Sequence, residues 1–266
     1  MILVAGGTGR LGTLIVRRLA ARGLPVRVLT RDPARGAHLT GVELVAGDVT
    51  DAATLGPAFA GVETVVSAVQ GFVGPGAVSP ATVDRDGNAH LVDAAERAGA
   101  AVVLLSVVGA AADAPMELFR MKYAAEQHLR EHGTAWTIVR STAFLETWTD
   151  LMRETAGRSG RPLVFGRGEN PINFVPVDEV AAAVERAVVD PGTRGTTIEV
   201  GGAADMTFNA LAATLAGEPP RHVPIPVLRL MAGALPRIAP QRARQAAAAL
   251  VMDTADLTFA GLGRSR

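Results

Sequence analysis

Val4-Ala5-Gly6-Gly7-Thr8-Gly9-Arg10-Leu11-Gly12 follows an apolar run that begins at Ile2 and opens a segment of helical period reaching about Arg22. The string satisfies G-x-x-G-x-x-G from Gly6 and G-x-G-x-x-G from Gly7. Glycine serves three needs in such a turn: a tight bend, backbone that approaches a pyrophosphate, and a helix lying close to its strand. Amides at the helix N-terminus then face the anion. Gly6, Gly7, Thr8, Gly9, Arg10, Leu11 and Gly12 are therefore candidate cofactor-binding residues. Between an N-terminal strand and the first of several βα units, the string reads as a dinucleotide-binding turn.

Working outward, short Val/Ile/Leu runs alternate with longer segments of helical period, which implies a parallel sheet. Strands are expected at Ile2–Ala5, Val26–Thr30, Val42–Ala46, Thr64–Ala68, Ala101–Leu105 and Trp136–Val139. Helices are expected at about Leu11–Arg22, Ala52–Ala60, Val83–Ala98 and Met116–His132, with a Gly/Pro-rich loop over 69–82. Past Ser141 the alternation loosens: strands are expected near 172–175 and 196–200, helices near 178–189, 207–216, 227–235 and 241–251. The fold class is α/β, a Rossmann-type doubly wound parallel sheet. Residues 1–150 form the nucleotide-binding core and 151–266 a smaller substrate-side α/β lobe.

Composition excludes several classes. With 48% apolar residues, 26 Lys+Arg against 26 Asp+Glu and a net charge of +0, the 266-residue chain is not intrinsically disordered. It also lacks the broad positive field that generic nucleic-acid binding needs. Zero Cys removes disulfides, thiolate catalysis and cysteine metal sites, and no metal site is expected. The uncharged stretch Thr64–Val83 is broken by Gly71, Gly74, Pro75, Gly76 and Pro80, so a membrane span is not expected. The expectation is a soluble cytoplasmic protein, monomer or homodimer, that acts on a small molecule.

The end of the second strand bears on cofactor choice, since an acidic residue there would accept the adenosine ribose hydroxyls of NAD. The tip reads Leu29-Thr30-Arg31-Asp32. Arg31 offers a guanidinium to a 2′-phosphate, whereas Asp32 would serve NAD if the strand ran one residue further. NADP(H) is the preferred reading and NAD(H) the alternative.

Five features together carry a resemblance: the glycine turn, Thr30-Arg31-Asp32-Pro33, Gly47-Asp48-Val49, Leu105-Ser106-Val107-Val108-Gly109 and Lys122-Tyr123-Ala124-Ala125-Glu126. The stretches Trp136–Phe144 and Phe174–Ala181 extend it. The chain resembles the atypical short-chain dehydrogenase/reductase family, in its NmrA-like and quinone-oxidoreductase-like branch. That resemblance implies that Asp48 and Val49 border the adenine and that Ser67, Ala68 and Val69 run beside the cofactor. It further implies that Lys122 reaches the nicotinamide ribose and that Ser141 and Phe144 lie on the cofactor side.

Lys122 is the one lysine among 26 basic residues. On a helix it shares a stripe with Leu118, Ala125 and Leu129, so it needs a partner, a wet cavity or a path for its amine to water. Cofactor hydroxyls would be such a partner. The Tyr-x-x-x-Lys pair of the classical short-chain enzymes is absent: Leu118 stands four residues before Lys122, and the one tyrosine is Tyr123. Ser106 matches the family's serine position, either to bond a substrate carbonyl or to cap local backbone. Lys122 and Ser106 are the candidate catalytic residues.

Without a phenol acid, the oxyanion that follows hydride transfer needs Lys122, Ser106 or water. Quinones relax this need, because they yield a weakly basic phenolate. Phe72, Val73, Phe144 and Trp148 either line a pocket for a planar substrate or pack as ordinary core. Asp84 reads as a helix cap, Arg17, Arg18 and Arg22 as a solvated face, and His128 and His132 as a helix flank. The sequence thus points to an NADP(H)-dependent oxidoreductase acting on a quinone, enone or carbonyl. A non-catalytic dinucleotide-binding redox sensor, or an isomerase, dehydratase or cyclase on the same fold, stand as alternatives.

Overall fold

The computed structural model describes residues 1–72, 78–216 and 218–263. In chain order the elements are β1 (Ile2–Ala5), α1 (Arg10–Ala21), β2 (Val26–Thr30), β3 (Glu43–Ala46), β4 (Thr64–Ser67), α2 (Asn88–Ala98), β5 (Ala101–Val107), α3 (Glu117–His132) and β6 (Trp136–Ser141). They continue with β7 (Ala143–Phe144), α4 (Leu145–Ala156), β8 (Leu163–Phe165), β9 (Ile172–Val175), α5 (Val177–Val189) and β10 (Thr196–Val200). Then follow β11 (Asp205–Met206), α6 (Phe208–Leu215), β12 (Arg221–Val223), α7 (Ile225–Ala234), α8 (Pro240–Met252) and α9 (Phe259–Gly263).

Contacts gather the chain into two compact units. The first comprises Met1–Asp113, Glu117–Ser141 and Val177–Val200. The second comprises Ala114–Met116, Thr142–Pro176 and Gly201–Arg266. Neither unit is one continuous stretch, whereas the sequence reading divides the chain once, after residue 150.

In the first unit the strands form one parallel sheet in the order β10-β6-β5-β4-β1-β2-β3. This contains the 3-2-1-4-5-6 order of the doubly wound fold, with its switch point between β1 and β4. Strands covered on both faces read as continuous apolar runs, and every residue of β1 and β2 is buried. On α1 the buried positions Leu11, Gly12, Ile15, Val16 and Leu19 make one stripe, the helical period that drives its docking.

Two sequence expectations change here. The helix expected over Ala52–Ala60 is two 3₁₀ turns, Ala52–Thr54 and Gly56–Phe59. Gly56 and Pro57 explain this, since proline has no amide for the preceding turn. The helix expected from Val83 begins at Pro80, as a π-helical stretch Pro80–Gly87 leading into α2. Ser79 caps it, accepting from the Thr82 amide in a reciprocal capping box. Asp84 is therefore not the cap. It lies one turn inside, fully buried.

Within the second unit β9 pairs in parallel with β7 and antiparallel with β11, and β8 pairs in parallel with β12. Buried Asn173 ties the first group together: it accepts from Thr142 Oγ1 at 2.9 Å and donates to Asp205 Oδ1 at 2.9 Å. Buried Asp253 anchors the 166–168 turn, accepting from the Arg167 amide at 2.8 Å and from its Nε at 3.0 Å. Among the described residues no helix is long and apolar enough to cross a membrane.

Candidate cofactor site

The parallel order brings most of the candidate residues to one edge of the sheet. Gly6 follows β1, Arg31 follows β2, Asp48 lies just past β3, and Ala68 follows β4. Ser106 is in the last turn of pairing of β5, opposite Arg140, and Ser141 ends β6. Ligands of doubly wound sheets bind at this carboxyl edge, beside the switch point.

Each glycine of the turn has a separate steric reason. Gly6 has φ +83°, and a Cβ there would stand 2.5 Å from the Ala68 carbonyl oxygen. A Cβ on Gly7 would meet Val28 Cγ1 at 2.8 Å, and one on Gly12 would meet the Gly6 carbonyl oxygen at 2.1 Å. Gly9 is different: its Cβ would meet only the Gly6 oxygen, at 3.3 Å. Three glycines thus serve packing of turn, strand and helix, and the backbone at Gly9 is exposed. The turn is closed by Gly9 N–H donating to Gly6 O at 3.0 Å and Thr13 N–H to Gly9 O at 2.8 Å. Amides of a helix's first turn have no intrahelical acceptor, and the N-cap of α1, Gly9, has no side chain to cap them. Thr8 is half-buried and Arg10 exposed at the rim, with Leu11 buried beneath.

β2 ends at Thr30, so exposed Arg31 is the first residue beyond it. Asp32 caps the next turn, its Oδ1 accepting from the Ala34 amide at 3.0 Å. After β3, Asp48 Oδ1 accepts from the amide and hydroxyl of Thr50 at 2.9 and 2.8 Å. The carbonyl of Val49 accepts from His90 Nδ1 at 2.8 Å, and its side chain packs on the core.

From the last residue of β4 onward the chain is clamped at alternate residues. The Ser67 hydroxyl donates to Asn88 Oδ1 at 2.5 Å, and Asn88 Nδ2 donates to the Asp84 carbonyl at 2.7 Å. The Val69 carbonyl accepts from Lys122 Nζ at 3.0 Å. The Gly71 amide donates to Asp84 Oδ2 at 2.8 Å.

Lys122 lies on the stripe expected of it, with Ala125 and Leu129 also buried. Its partner, however, comes from the chain itself: Asp84 Oδ1 lies 3.0 Å from Nζ, and both side chains are at most 5% exposed. Asp84 was missed as a site residue, although a signal existed. Asp84, Asn88, Leu91 and Ala95 fall on one helical stripe, and all four are buried. Two polar side chains on such a stripe call for partners.

Glu126, one turn after Lys122, was missed too. It is fully buried and receives a two-pronged guanidinium from Arg140, Nε to Oε1 at 2.8 Å and Nη2 to Oε2 at 2.6 Å. Arg130 adds a third contact at 3.3 Å. Hydrogen bonding to Glu126 raises the Arg140 pKa above the ordinary guanidinium value, against burial, which lowers it. Arg18 and Arg22 are not a merely solvated face, since both bond Glu185 of α5.

The Ser106 hydroxyl is buried and has no hydrogen-bond partner among the described residues. A native orphan of this kind asks for a ligand or water. Of the candidate substrate-side aromatics, Phe72 is half-buried, and Val73 lies outside the described residues. Phe144 and Trp148 belong to the second unit, where Phe144 immediately precedes α4. Trp148 there packs on Phe208, ring centroids 4.7 Å apart.

The glycine cradle and the orphan hydroxyl, both at the carboxyl edge, fit a dinucleotide. Residues 6–191 match the family model described as NAD(P)H-binding. The chain belongs to that NAD(P)H-binding family. It is 34% identical over 232 residues to the NAD(P)H azoreductase of Xenophilus azovorans, covering 85% of this chain and 77% of that protein. It is 30% identical to the Photosystem II assembly factor Ycf39 of a Synechocystis strain, covering 86% and 72%. Among solved structures, the NADPH-dependent quinone oxidoreductase of Escherichia coli in complex with NADPH superposes with a TM-score of 0.76 at 21% identity. That match covers 97% of this chain and 90% of that one. It establishes a shared α/β fold.

Proposed function

We propose that this chain is an NADP(H)-dependent oxidoreductase of the atypical short-chain type, delivering hydride to an activated small molecule such as a quinone, enone or carbonyl compound. The observation that carries the reading is the Gly6–Gly12 cradle at the switch point, where the helix N-cap is Gly9 and supplies no capping side chain. The azoreductase relative supports reductive chemistry on a conjugated acceptor.

First-turn amides of α1 hold the diphosphate, and Asp48 and Val49 border the adenine. Arg31 pairs with the 2′-phosphate. Its exposure just past β2 supports this role, as does the use of the Asp32 carboxylate on the Ala34 amide. Ala68 and Val69 flank the cofactor through their main chain, and Lys122 donates to the nicotinamide ribose. When bound, the reduced nicotinamide supplies the hydride. With Leu118 standing four residues before Lys122, no phenol acid precedes the lysine. The orphan Ser106 hydroxyl is then the donor for the acceptor's oxygen. A quinone suits this arrangement, because its reduced oxyanion is weakly basic.

The test is oxidation of NADPH against quinones, enones, ketones and an azo dye, with wild type and Lys122→Ala. Turnover that is lost in Lys122→Ala supports the proposal. Arg31→Ala is expected to weaken NADPH by about tenfold or more, the value of a charge-assisted contact, while leaving NADH nearly unchanged. Equal losses remove Arg31 from its role, and failure to bind either coenzyme overturns the whole reading. A second reading, a dinucleotide-binding factor without turnover, is favoured by the relative named as an assembly factor. Tight NADPH binding with no turnover across the panel would select it.

A further inference from the structure

Four groups close a ring under the candidate nicotinamide end of the site. Lys122 Nζ donates to the Val69 carbonyl and pairs with Asp84 Oδ1, each at 3.0 Å. Asp84 Oδ2 accepts from the Gly71 amide at 2.8 Å, and the chain from Gly71 back to Val69 completes the ring. One carboxylate therefore fixes both a side-chain cation and a backbone segment. The same helix also holds Ser67, through Asn88 and the Asp84 carbonyl.

Ser67, Val69 and Gly71 bond the Pro80–Ala98 helix and Lys122, while the Ala68 carbonyl is packed against Gly6 of the glycine turn. Close packing at Gly71 reinforces the clamp, since a Cβ there would stand 2.2 Å from the Ser79 carbonyl oxygen. The carboxylate is buried and the lysine nearly so. A pair of this kind is costly unless other hydrogen bonds hold its members. Here the Gly71 amide donates to Asp84 Oδ2 and Lys122 donates to the Val69 carbonyl. Asp84 Oδ1 faces the ammonium as an ion pair at 3.0 Å, without a hydrogen bond among the described residues. A solvated surface lysine would need none of it.

We propose that Asp84 is the positioning residue of the site. It holds the Lys122 ammonium and the 67–71 segment in one fixed arrangement, against which the nicotinamide-ribose half of the coenzyme seats. Asp84 itself touches no substrate. The inference rests on the dinucleotide reading above, and its test separates the two.

Equilibrium binding of NADPH and of its adenine half, 2′,5′-ADP, is measured for wild type, Asp84→Asn, Lys122→Met and the double variant. If wild type prefers NADH, that coenzyme and ADP replace them. Asp84→Asn keeps an oxygen for the Gly71 amide and removes the charge that holds the lysine. It is expected to weaken the whole coenzyme about tenfold and the adenine half less than twofold. Because Asp84 acts through Lys122, the double variant is expected to bind no worse than Lys122→Met alone. The double variant carries a neutral pair of similar size, so it keeps the test open if either single variant unfolds. An unchanged coenzyme affinity, equal losses for coenzyme and adenine half, or additive losses in the double variant would each overturn the role of Asp84 while leaving the dinucleotide reading intact. Wild-type protein that binds neither coenzyme would overturn both.

Discussion

Replacing Gly12 by alanine tests the glycine cradle most directly. Its Cβ would lie 2.1 Å from the Gly6 carbonyl oxygen and 2.7 Å from both Gly6 C and Gly7 Cα. All three neighbours are backbone, so no side chain can swing aside. An ordinary carbon–oxygen approach is about 3.3 Å, so α1 and the turn must separate by roughly 1 Å. Overpacking of that size costs about 1–3 kcal/mol of stability. Ligand binding suffers as well, because the same shift moves the amides proposed to face the diphosphate. A misplacement of about 1 Å costs on the order of 100-fold in a preorganised site, or about 2.8 kcal/mol at 1.4 kcal/mol per decade. Calorimetric titration with NADPH, paired with urea unfolding, measures both. Gly9→Ala is the control: its nearest contact of 3.3 Å leaves the fold within about 1 kcal/mol of wild type. A Gly12→Ala protein with unchanged urea midpoint and an NADPH affinity within threefold of wild type would refute the steric argument.

Ser106→Ala removes a buried hydroxyl that has no partner among the described residues, so urea stability should be unchanged or higher while quinone turnover falls; a clear loss of stability would instead assign the hydroxyl to the fold. Glu126→Ala leaves the half-buried Arg140 guanidinium without its two-pronged acceptor and with the Glu199 carboxylate 3.5 Å away as a remaining partner, and unfolding titrations should register a loss of about 1–3 kcal/mol. Hydrogen bonding to Arg22, with Arg18 adding to it against the opposing effect of burial, holds the Glu185 carboxyl below its ordinary value of 4.5. A carboxylate depressed in the folded state stabilises above its unfolded pKa and loses that contribution as pH falls through the folded value. The stability gap between wild type and Glu185→Gln should therefore be widest at pH values above about 5 and close as acid is added below it, as followed by urea unfolding across that range.

The fold was legible because its signals are local and repeated. Apolar runs of strand length, stripes of helical period and the Gly6–Gly12 string each lie within a few residues, and together they specify a parallel βα series. Elements failed where local chemistry competed. Gly56-Pro57 broke an expected helix into 3₁₀ turns, and Ser79 with Pro80 began the next helix three residues before Val83. The short strands Ala143–Phe144, Leu163–Phe165, Asp205–Met206 and Arg221–Val223 and the helix Leu145–Ala156 were missed. Its apolar residues Leu145, Trp148 and Met152 do follow helical spacing.

Alone, the sequence determined the α/β class, the glycine turn, the want of a tyrosine before Lys122, and the demand that a lysine on an apolar stripe find a partner. Only the tertiary structure decided what that partner is. Asp84 stands 38 residues earlier, on a different helix, and no periodicity links the two. Their meeting depends on how the Pro80–Ala98 helix and α3 pack together beside the strand end at Ser67. Charge pairing over such separations is a property of packing in three dimensions, and local pattern carries no record of it.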